Sequence, residues 1–279
     1  IIHTHSPRSD LLAYSSNLFL KNKGKRIVTI HGKYGTYLQG NFLIDFLRKI
    51  FIKQQSKIWE KANKVIVISE SIRDWLEKLN SSIKPTVIPY GVEIQEVSQK
   101  NKLGNPTLGY LGKLNKNKGI EDLIDVYTKF QAKENLSNFE LTLLIGGTGS
   151  ENYIKSLKNK IKDNNVKFLG YVEDRYSFFE SIEIFVFPSY SEGLGLVLLE
   201  AMAHGVICIT RDVTPMNSIV DNEENGFLFK DNKELLEKIE MVLNLNSTEK
   251  NKLVESAIKK IEKSYSIMQM YLSTEKAYN

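Results

Sequence analysis

Short apolar runs alternate along the chain with longer stretches in which apolar residues recur every three or four positions. The first pattern is typical of buried strands and the second of amphipathic helices. In the first third of the chain the strand-like runs are 26–30, 64–68 and 85–88. After residue 105 the alternation restarts, and the pattern predicts strands at 107–111, 140–145, 166–169, 183–187, 206–209 and 226–229.

The helical stretches between these strands indicate crossover connections, which produce parallel sheets covered by helices on both faces. Residues 91–105 have no apolar periodicity and are rich in Lys, Asn, Gln and Gly, so we interpret them as a linker. The pattern therefore predicts an α/β protein with two doubly wound domains, 1–92 and 105–263. From residue 231 onward the spacing of apolar residues predicts helix.

Length and composition agree with two globular domains. The chain has 279 residues, and one domain per roughly 150 residues gives about two. With 42% apolar and 25% charged residues, intrinsic disorder is excluded as the main state. No apolar run is long enough for a membrane span. The single cysteine, Cys208, lies in an apolar run, which excludes an intrachain disulfide and favours a core position and a reducing compartment.

The net charge of +5 fits an anionic small ligand or an acidic membrane surface and does not require nucleic acid. We expect no nucleic-acid partner. The lysine-rich helix at 155–162 has two interpretations: peripheral contact with an anionic membrane, or ordinary solvation of its lysines.

The most informative stretch, 187–205, reads as strand, loop, helix and strand. Gly193 and Gly195 let the backbone approach a ligand, and the helix that follows offers unpaired N–H groups to an anion. Glu192 lies at the mouth of the loop, and Glu200 lies roughly 7 to 8 Å along a helix that starts near Gly195. Two such carboxylates could bind hydroxyls at the two ends of a nucleotide sugar. The alternative is that both are solvated, but the apolar neighbours of Glu200 would make an unpaired charge there costly.

Two further glycine-containing loops follow predicted strands. In residues 109–119, Lys113 and Lys118 follow a strand and could neutralise a pyrophosphate, although a solvated basic loop is the other interpretation. Residues 146–149, Gly-Gly-Thr-Gly, are a weaker signal. The chain has no G-x-G-x-x-G or P-loop motif, which counts against a nicotinamide enzyme and a P-loop ATPase. It has no D-x-D motif either, so we expect cationic side chains and helix dipoles to do the work of a metal.

In the first predicted domain, His31 directly follows the strand 26–30. Open α/β sheets bind ligands at the carboxyl ends of their strands, so we favour a functional role for His31. His3 and His5 follow the first apolar pair in the same way, and for them function and simple solvation are equally good interpretations.

These motifs together resemble the retaining glycosyltransferases of family 4, also called glycosyl transferases group 1, over nearly the whole chain. The most specific element is an E-x7-E motif from Glu192 to Glu200, preceded by FPS at 187–189 and followed by AMAHG at 201–205. Supporting segments are VIPYGV at 87–92, FLGYV at 168–172 and NGFL at 225–228. The resemblance implies the GT-B fold, in which two Rossmann-like domains face a cleft, here with an incomplete N-terminal domain that 264–279 crosses back to join.

The resemblance also implies roles for individual residues. Glu192 would be catalytic and would bind the donor sugar, and Glu200 would bind the ribose. His31 would be a second catalytic residue, across the cleft and near the transferred sugar. The family usually has Arg where this chain has Lys113, which replaces a bidentate phosphate contact with a point charge. The remaining implied contacts are Gly193, Leu194 and Gly195 for the donor sugar, Gly112, Lys113, Lys118, Gly195 and Leu196 for the diphosphate, and Tyr171 and Val172 for the base.

The function implied by the resemblance is retaining transfer of a sugar from a nucleoside diphosphate sugar, most simply a UDP-sugar, to a hydroxyl of a glycan or glycolipid. No metal or other cofactor is expected. We expect a cytoplasmic location, and from the net charge and the lysine-rich helix peripheral contact at the inner membrane face stays open beside ordinary solvation. Two alternatives stay open: a non-catalytic nucleotide-sugar-binding subunit or fragment, and a sugar-nucleotide epimerase on the same fold.

Overall fold

The computed structural model describes residues 1–19, 24–34, 42–95, 106–133, 140–161 and 163–279. Residues 96–105 of the predicted linker and Lys162 of the lysine-rich segment lie outside this description. The contacts divide the chain into two compact units, one formed by Ile1–Gly91 with Ile267–Asn279 and one by Val92–Ser266. Among the helices of the described ranges, none has the length and apolarity needed to cross a membrane.

The first unit contains a four-stranded parallel sheet in which each strand pairs with the next one in sequence, in the order β1-β2-β3-β4. All five residues of β2 are buried, including the polar Arg26 and Thr29. The elements in chain order are β1 (Ile2–Thr4), α1 (Pro7–Phe19), β2 (Arg26–Ile30), α2 (Phe42–Glu60), β3 (Lys64–Val67), α3 (Glu70–Leu79) and β4 (Thr86–Val87).

The second unit contains a six-stranded parallel sheet in the order β10-β9-β8-β5-β6-β7. Its core is built from the buried faces of these strands and of the helices that cover them. The strands are β5 (Thr107–Leu111), β6 (Thr142–Gly146), β7 (Val166–Gly170), β8 (Ile184–Phe187), β9 (Ile207–Arg211) and β10 (Phe227–Phe229). The helices are α4 (Ile120–Gln131), α5 (Glu151–Asn159), α6 (Arg175–Glu180), α7 (Leu196–Ala203), α8 (Met216–Ile219), α9 (Asn232–Asn244) and α10 (Ser247–Ser264).

The last helix, α11 (Ile267–Tyr278), returns to the first unit. Its buried Ala277 packs with Ile27, Ile66 and Ile88 of that unit. The hydroxyl of Tyr278 shares a 2.7 Å hydrogen bond with Nδ1 of His3 in β1. The helix therefore contributes to the core of a sheet that lies some 180 residues earlier in the sequence.

The predicted α/β class with two parallel, Rossmann-like sheets is confirmed. All nine predicted strands are present, with ends shifted by at most two residues. Two elements differ from the prediction. The start of the chain forms β1, so His3 lies within a strand and not after it, and Lys116–Lys118 form a short 3-10 turn. Cys208 is fully buried, as predicted.

Candidate functional site

The second sheet has a reversal in strand order beside β5. From β5 the chain continues to β6 on one side, whereas β8 pairs with β5 on the other side. The loops that follow β5 and β8 therefore leave the carboxyl edge of the sheet at neighbouring positions. Open α/β sheets bind ligands at such a reversal. The predicted diphosphate and sugar residues lie in these two loops, 112–119 and 188–195, and at Leu196, the first residue of α7.

The two loops are fastened to each other by backbone contacts. The Tyr190 N–H donates to the Asn117 carbonyl oxygen at 3.0 Å. Gly119 has a φ of +65°, and a Cβ atom there would lie 2.2 Å from the Pro188 carbonyl oxygen. Only glycine allows both this left-handed conformation and this close approach. The end of the 3-10 turn and the start of the β8 loop thus have a fixed separation.

This fixed separation brings Lys118 and Glu192 together. Lys118 Nζ donates to Glu192 Oε1 at 2.7 Å, and the two side chains are 22% and 14% exposed. Both groups are close enough to solvent to reach a ligand and sheltered enough for their charges to interact strongly. Burial raises the pKa of the Tyr110 hydroxyl, and the negative charge of Glu192 raises it further. The fold thus brings two of the predicted site residues, Lys118 and Glu192, into direct contact.

Arg211, at the end of β9, stabilises the loop that follows β8. Its buried guanidinium donates to the carbonyl oxygens of Pro188 at 3.0 Å and Lys230 at 3.1 Å, and to Asp122 Oδ2 at 2.5 Å. It also stacks on the Tyr190 ring, 4.0 Å from the centroid. The Tyr190 hydroxyl donates to the same Asp122 oxygen at 2.6 Å. A buried guanidinium is stable only with such partners. Because two of these partners, Pro188 and Tyr190, belong to the loop that carries Glu192, the network holds that loop in place.

The glycine loop 146–149 supports the loop after β5. The Gly112 and Leu114 N–H groups donate to the carbonyl oxygens of Gly146 at 3.0 Å and Thr148 at 2.8 Å. A Cβ atom on Gly147 would lie 1.7 Å from the Gly112 carbonyl oxygen. The glycines that formed a weak sequence signal thus allow close packing beneath residues 112–119.

The start of α7 combines a left-handed glycine with a bare helix end. Gly195 is buried, has a φ of +87° and precedes the first helical residue, Leu196. Because glycine has no side chain to cap the helix, the first N–H groups of α7 have no capping oxygen from that position. Leu194 is buried and Gly193 half-buried, so the turn presents mainly backbone. Such a turn offers donors and a positive dipole end to an anion.

Glu200 lies farther along α7 and has a different cationic partner. Arg175 Nη1 donates to both carboxylate oxygens, at 2.7 and 2.9 Å, and the Glu200 side chain is 20% exposed. Arg175 begins α6, directly after the loop that contains Tyr171 and Val172. The ion pair therefore joins α7 to the predicted base-binding segment. Of that segment, Tyr171 is 76% exposed, and Val172 is half-buried, with its Cγ2 close to Gly146.

Lys113 lies apart from the Lys118–Glu192 contact. Its side chain is exposed, and its carbonyl oxygen accepts a 3.1 Å hydrogen bond from the Tyr110 hydroxyl. The backbone of the loop is thus anchored while the ammonium group faces solvent. Gly112 before it is half-buried.

In the first unit, His31 is the centre of a chain of hydrogen-bonded rings. Its Nε2 lies 3.0 Å from His5 Nδ1, and its Nδ1 is in hydrogen-bond contact with the Tyr90 hydroxyl. His3 lies beside His5, with ring centroids 4.3 Å apart and planes tilted by 35°, and its Nε2 shares a 2.7 Å hydrogen bond with Thr29 Oγ1. Burial first, and then the neighbouring histidines, lower the pKa values of His3 and His31. Burial therefore favours the neutral forms of the His3 and His31 rings.

Sequence reasoning missed Arg175, Arg211, Asp122 and Tyr190. Arg211 had a usable signal, because a charged residue at the end of a strand buried on both faces must find a partner in the fold. Arg175 had none, since an arginine in the first turn of a helix is ordinary in sequence. The pairing with Glu200 depends on how α6 packs beside α7, where Phe179 and His204 have centroids 4.9 Å apart.

Two family profiles match the chain. The profile of the family described as glycosyl transferases group 1 matches residues 92–260, and that of glycosyltransferase family 4 matches residues 1–96. The chain is 28% identical over its whole length to the capsular polysaccharide biosynthesis glycosyltransferase CapM of Staphylococcus aureus, of which it covers 76%. It is 26% identical to the O-antigen biosynthesis glycosyltransferase WclY of Escherichia coli, over 86% of this chain and 68% of that protein.

Solved structures show the same fold. Sucrose-phosphate synthase of Thermosynechococcus elongatus superposes with a TM-score of 0.83 at 22% identity, over 99% of this chain and 72% of that one. HepE of Anabaena, crystallised with UDP and glucose, gives a TM-score of 0.80 at 17% identity, over 99% and 77%. The fold is therefore that of the GT-B glycosyltransferases. With the profile match over more than half of its residues, the chain belongs to the glycosyl transferases group 1 family of enzymes.

Proposed function

We propose that this glycosyltransferase moves a sugar from a UDP-sugar to a hydroxyl of a glycan or glycolipid, with retention of anomeric configuration. The observation that carries the proposal is the Lys118–Glu192 contact at the carboxyl edge of β5 and β8, beside the bare start of α7. A cation and a row of N–H donors suit the diphosphate of the donor. A carboxylate at the same point suits the hydroxyls of the sugar attached to it.

In this proposal the leaving diphosphate receives most of the developing charge. Lys118, Lys113 and the backbone at Gly112, Gly195 and Leu196 stabilise that charge, an electrostatic contribution that increases as the glycosidic bond breaks. These cationic and dipolar groups take the part that a divalent metal plays in other sugar transferases, so the reaction needs no metal. Glu192 binds the donor sugar with Gly193, Leu194 and Gly195, and His31 is the second proposed catalytic residue.

In the same proposal, Glu200 and the loop after β7 bind the nucleoside end of the donor. Glu200 accepts hydrogen bonds from the ribose hydroxyls, and Arg175 keeps its carboxylate oriented for them. The backbone at Tyr171 and Val172 recognises the base. The Arg175–Glu200 ion pair supports this arrangement because it joins the proposed ribose and base contacts within one unit.

The comparisons support the substrate classes of this proposal. Uridine diphosphate is the nucleotide in the solved complexes of HepE and of the pneumococcal O-GlcNAc transferase GtfA. CapM and WclY are named for capsular polysaccharide and O-antigen biosynthesis, and the alpha-monoglucosyldiacylglycerol synthase of Acholeplasma laidlawii for a lipid product. We further propose a cytoplasmic location with peripheral contact at the inner face of the membrane, where lipid-linked acceptors are found.

The experiment is an assay of UDP release from a panel of UDP-sugars with glycan and glycolipid acceptors, in the presence of EDTA. We expect release with one donor and acceptor pair, and NMR of the product should show the anomeric configuration of the donor. Binding of UDP-sugar without release would favour the non-catalytic subunit, and conversion of the sugar without acceptor would favour the epimerase. Unchanged turnover in both Glu192→Ala and Lys118→Ala would refute the assigned roles.

A further inference from the structure

In its first three turns, α2 has its apolar side turned toward solvent. Leu43 is 63% exposed, Phe46 51% and Phe51 55%. An amphipathic helix of a globular domain normally presents charged residues on that side. The large exposed apolar residues in these turns, which we call the α2 apolar face, are Leu43, Ile44, Phe46, Leu47, Ile50 and Phe51.

The helix geometry places this face opposite the core. The buried residues of α2 are Ile52, Gln55, Ser56 and Trp59. At 100° per residue these four point in one general direction, and the α2 apolar face covers an arc of about 160° centred on the opposite one. The exposed apolar residues are therefore one continuous surface and not a misplaced part of the core.

The neighbouring helix α1 does not extend over this surface. Trp59 Nε1 donates to Asp10 Oδ2 at 2.8 Å, and Lys61 Nζ donates to the Tyr14 hydroxyl at 3.0 Å. These contacts follow the same order along both segments, so the two helices run in parallel, and α1 begins only three residues before Asp10. Residues 43–51 lie eight or more residues before Trp59, which places them about 8 Å or more beyond the start of α1.

Basic residues border the α2 apolar face. Lys49, Lys53 and Lys57 are spaced four apart and form a row along one edge, while Arg48 lies at the other edge. Asp45 is the single acidic residue between 43 and 59, and it forms a 3.9 Å ion pair with Arg48. Among the residues that the structure describes, none forms an ion pair with the three lysines of the row.

We infer that the α2 apolar face is a docking surface for a lipid bilayer that contains anionic headgroups. An apolar stripe bordered by Lys and Arg is the composition of helices that lie in the membrane interface, with the apolar side chains among the acyl chains and the basic ones at the headgroups. A second copy of this chain fits less well, because a symmetric contact through this face would bring two rows of lysines together. The inference rests on the peripheral membrane contact and the lipid-linked acceptor class of the proposed function, and it assigns that contact to α2.

The lysine-rich helix α5 does not offer the same combination. Its exposed residues are all polar or charged, and its Leu157 is buried. Lys155 and Lys158 can therefore attract an anionic surface, but no exposed apolar side chain of α5 can enter it. Of the two helices, only α2 has both basic residues that attract an anionic membrane and exposed apolar side chains that can insert into it.

The test is cosedimentation of the chain with phosphatidylcholine vesicles, with and without phosphatidylglycerol, in the absence of donor and acceptor. We expect binding to the anionic vesicles only. Lys49→Glu/Lys53→Glu should weaken it at least about 25-fold, from about fivefold per lysine lost at the surface. Phe46→Glu/Leu47→Glu should abolish it. The matched control, Lys155→Glu/Lys158→Glu, makes the same change of charge on α5 and should stay within about twofold of the unaltered chain.

A second measurement reports insertion directly. In Phe51→Trp the new indole should be quenched by brominated phosphatidylcholine in anionic vesicles, beyond the background that the unaltered chain gives through Trp59 and Trp75. Absence of vesicle binding, an equal loss in the α5 control, or no quenching beyond that background in Phe51→Trp would overturn the inference. So would a dimer in solution that the Phe46→Glu/Leu47→Glu variant separates into monomers. Because no sugar transfer is measured, failure here leaves the proposed activity untouched, and failure of the UDP-release assay leaves this surface untouched.

Discussion

Lys118 and Glu192 form an ion pair of 2.7 Å across 74 residues of sequence, between the loop after β5 and the loop after β8. The contact gives each loop a defined position relative to the other. It also sets up a competition, because a diphosphate that approaches Lys118 offers two negative groups in place of one carboxylate.

Replacing the cation should weaken nucleotide binding. Lys118→Ala removes a charged donor to the diphosphate and leaves the sheltered Glu192 carboxylate as a repulsive neighbour. We expect the Kd for UDP to rise about 10- to 100-fold, since a hydrogen bond to a charged group contributes about 1.5–3 kcal/mol. Isothermal titration calorimetry provides the measurement. Lys116→Ala, which removes an exposed lysine of the same turn, is the control and should change Kd less than about twofold.

Replacing the carboxylate should separate binding from turnover. Glu192→Gln keeps the size of the side chain but releases Lys118 and removes a repulsion, so UDP should bind as tightly as before or more tightly. Transfer should nevertheless fall about 100-fold or more, because the sugar loses the charged group that supports its reacting centre. Parallel measurements of UDP affinity and UDP release distinguish the two effects. A loss of UDP affinity equal to the loss of turnover would contradict the assignment of Glu192 to the sugar.

The elements of this site were predictable from sequence to different degrees. The strands and the Glu192–Glu200 segment follow from apolar patterning and local glycine chemistry, which act over a few residues. The proximity of Lys118 to the turn follows less directly, from the rule that parallel strands end at one edge. The sequence contains no information of this kind about Arg175, whose pairing with Glu200 requires α6 to pack beside α7.

The exposed side of α2 shows a second feature that the sequence pattern alone does not predict. Apolar periodicity predicted a helix there correctly, but periodicity alone does not say which side of a strongly apolar helix faces the core. That depends on where α1 lies beside it, which is a tertiary property. The chain of histidine rings is similar, since His3, His5 and His31 approach one another only when β1 pairs with β2.

The Arg211 network should be a main determinant of stability in the second unit. Arg211→Met leaves Asp122 and two carbonyl oxygens without their buried donor, and the cost of breaking a buried ion pair is about 3–5 kcal/mol. Tyr190→Phe removes one hydroxyl from the same carboxylate at a half-exposed position, so its cost should be below about 1.5 kcal/mol. Urea denaturation gives both values. Equal losses in the two variants would show that the guanidinium is not the centre of the network.

Gly119 offers a test of how tightly the two loops are fastened. In Gly119→Ala the left-handed conformation costs about 1–2 kcal/mol and the new Cβ atom also collides with the Pro188 carbonyl. The control is Gly170→Ala, where φ is +70° but nothing lies within 4 Å of the added atom. We expect Gly119→Ala to be the more destabilising by about 1 kcal/mol or more, and to weaken UDP binding as well. If both variants unfold at the same urea concentration, the close approach to Pro188 has no energetic weight.

The histidine cluster should make the stability of the first unit depend on pH. Burial lowers the pKa values of His3 and His31 in the folded chain, whereas both return to about 6.5 on unfolding. Below about pH 6.5 the unfolded chain therefore binds more protons, and the free energy of unfolding falls as pH decreases until the folded-state pKa values are reached. Because the rings are only partly buried, we expect a small loss of stability from each.

The variant His3→Gln isolates one of these contributions. Glutamine can still form hydrogen bonds with Thr29 and Tyr278 but does not titrate, and every other ionisable group is shared with the unaltered chain. The difference in unfolding free energy between the two proteins should therefore change between pH 7.5 and 5.5, with the variant losing less stability on acidification. Urea titrations at both pH values measure it. A difference that is independent of pH would mean that His3 titrates in the folded protein as it does in the unfolded one.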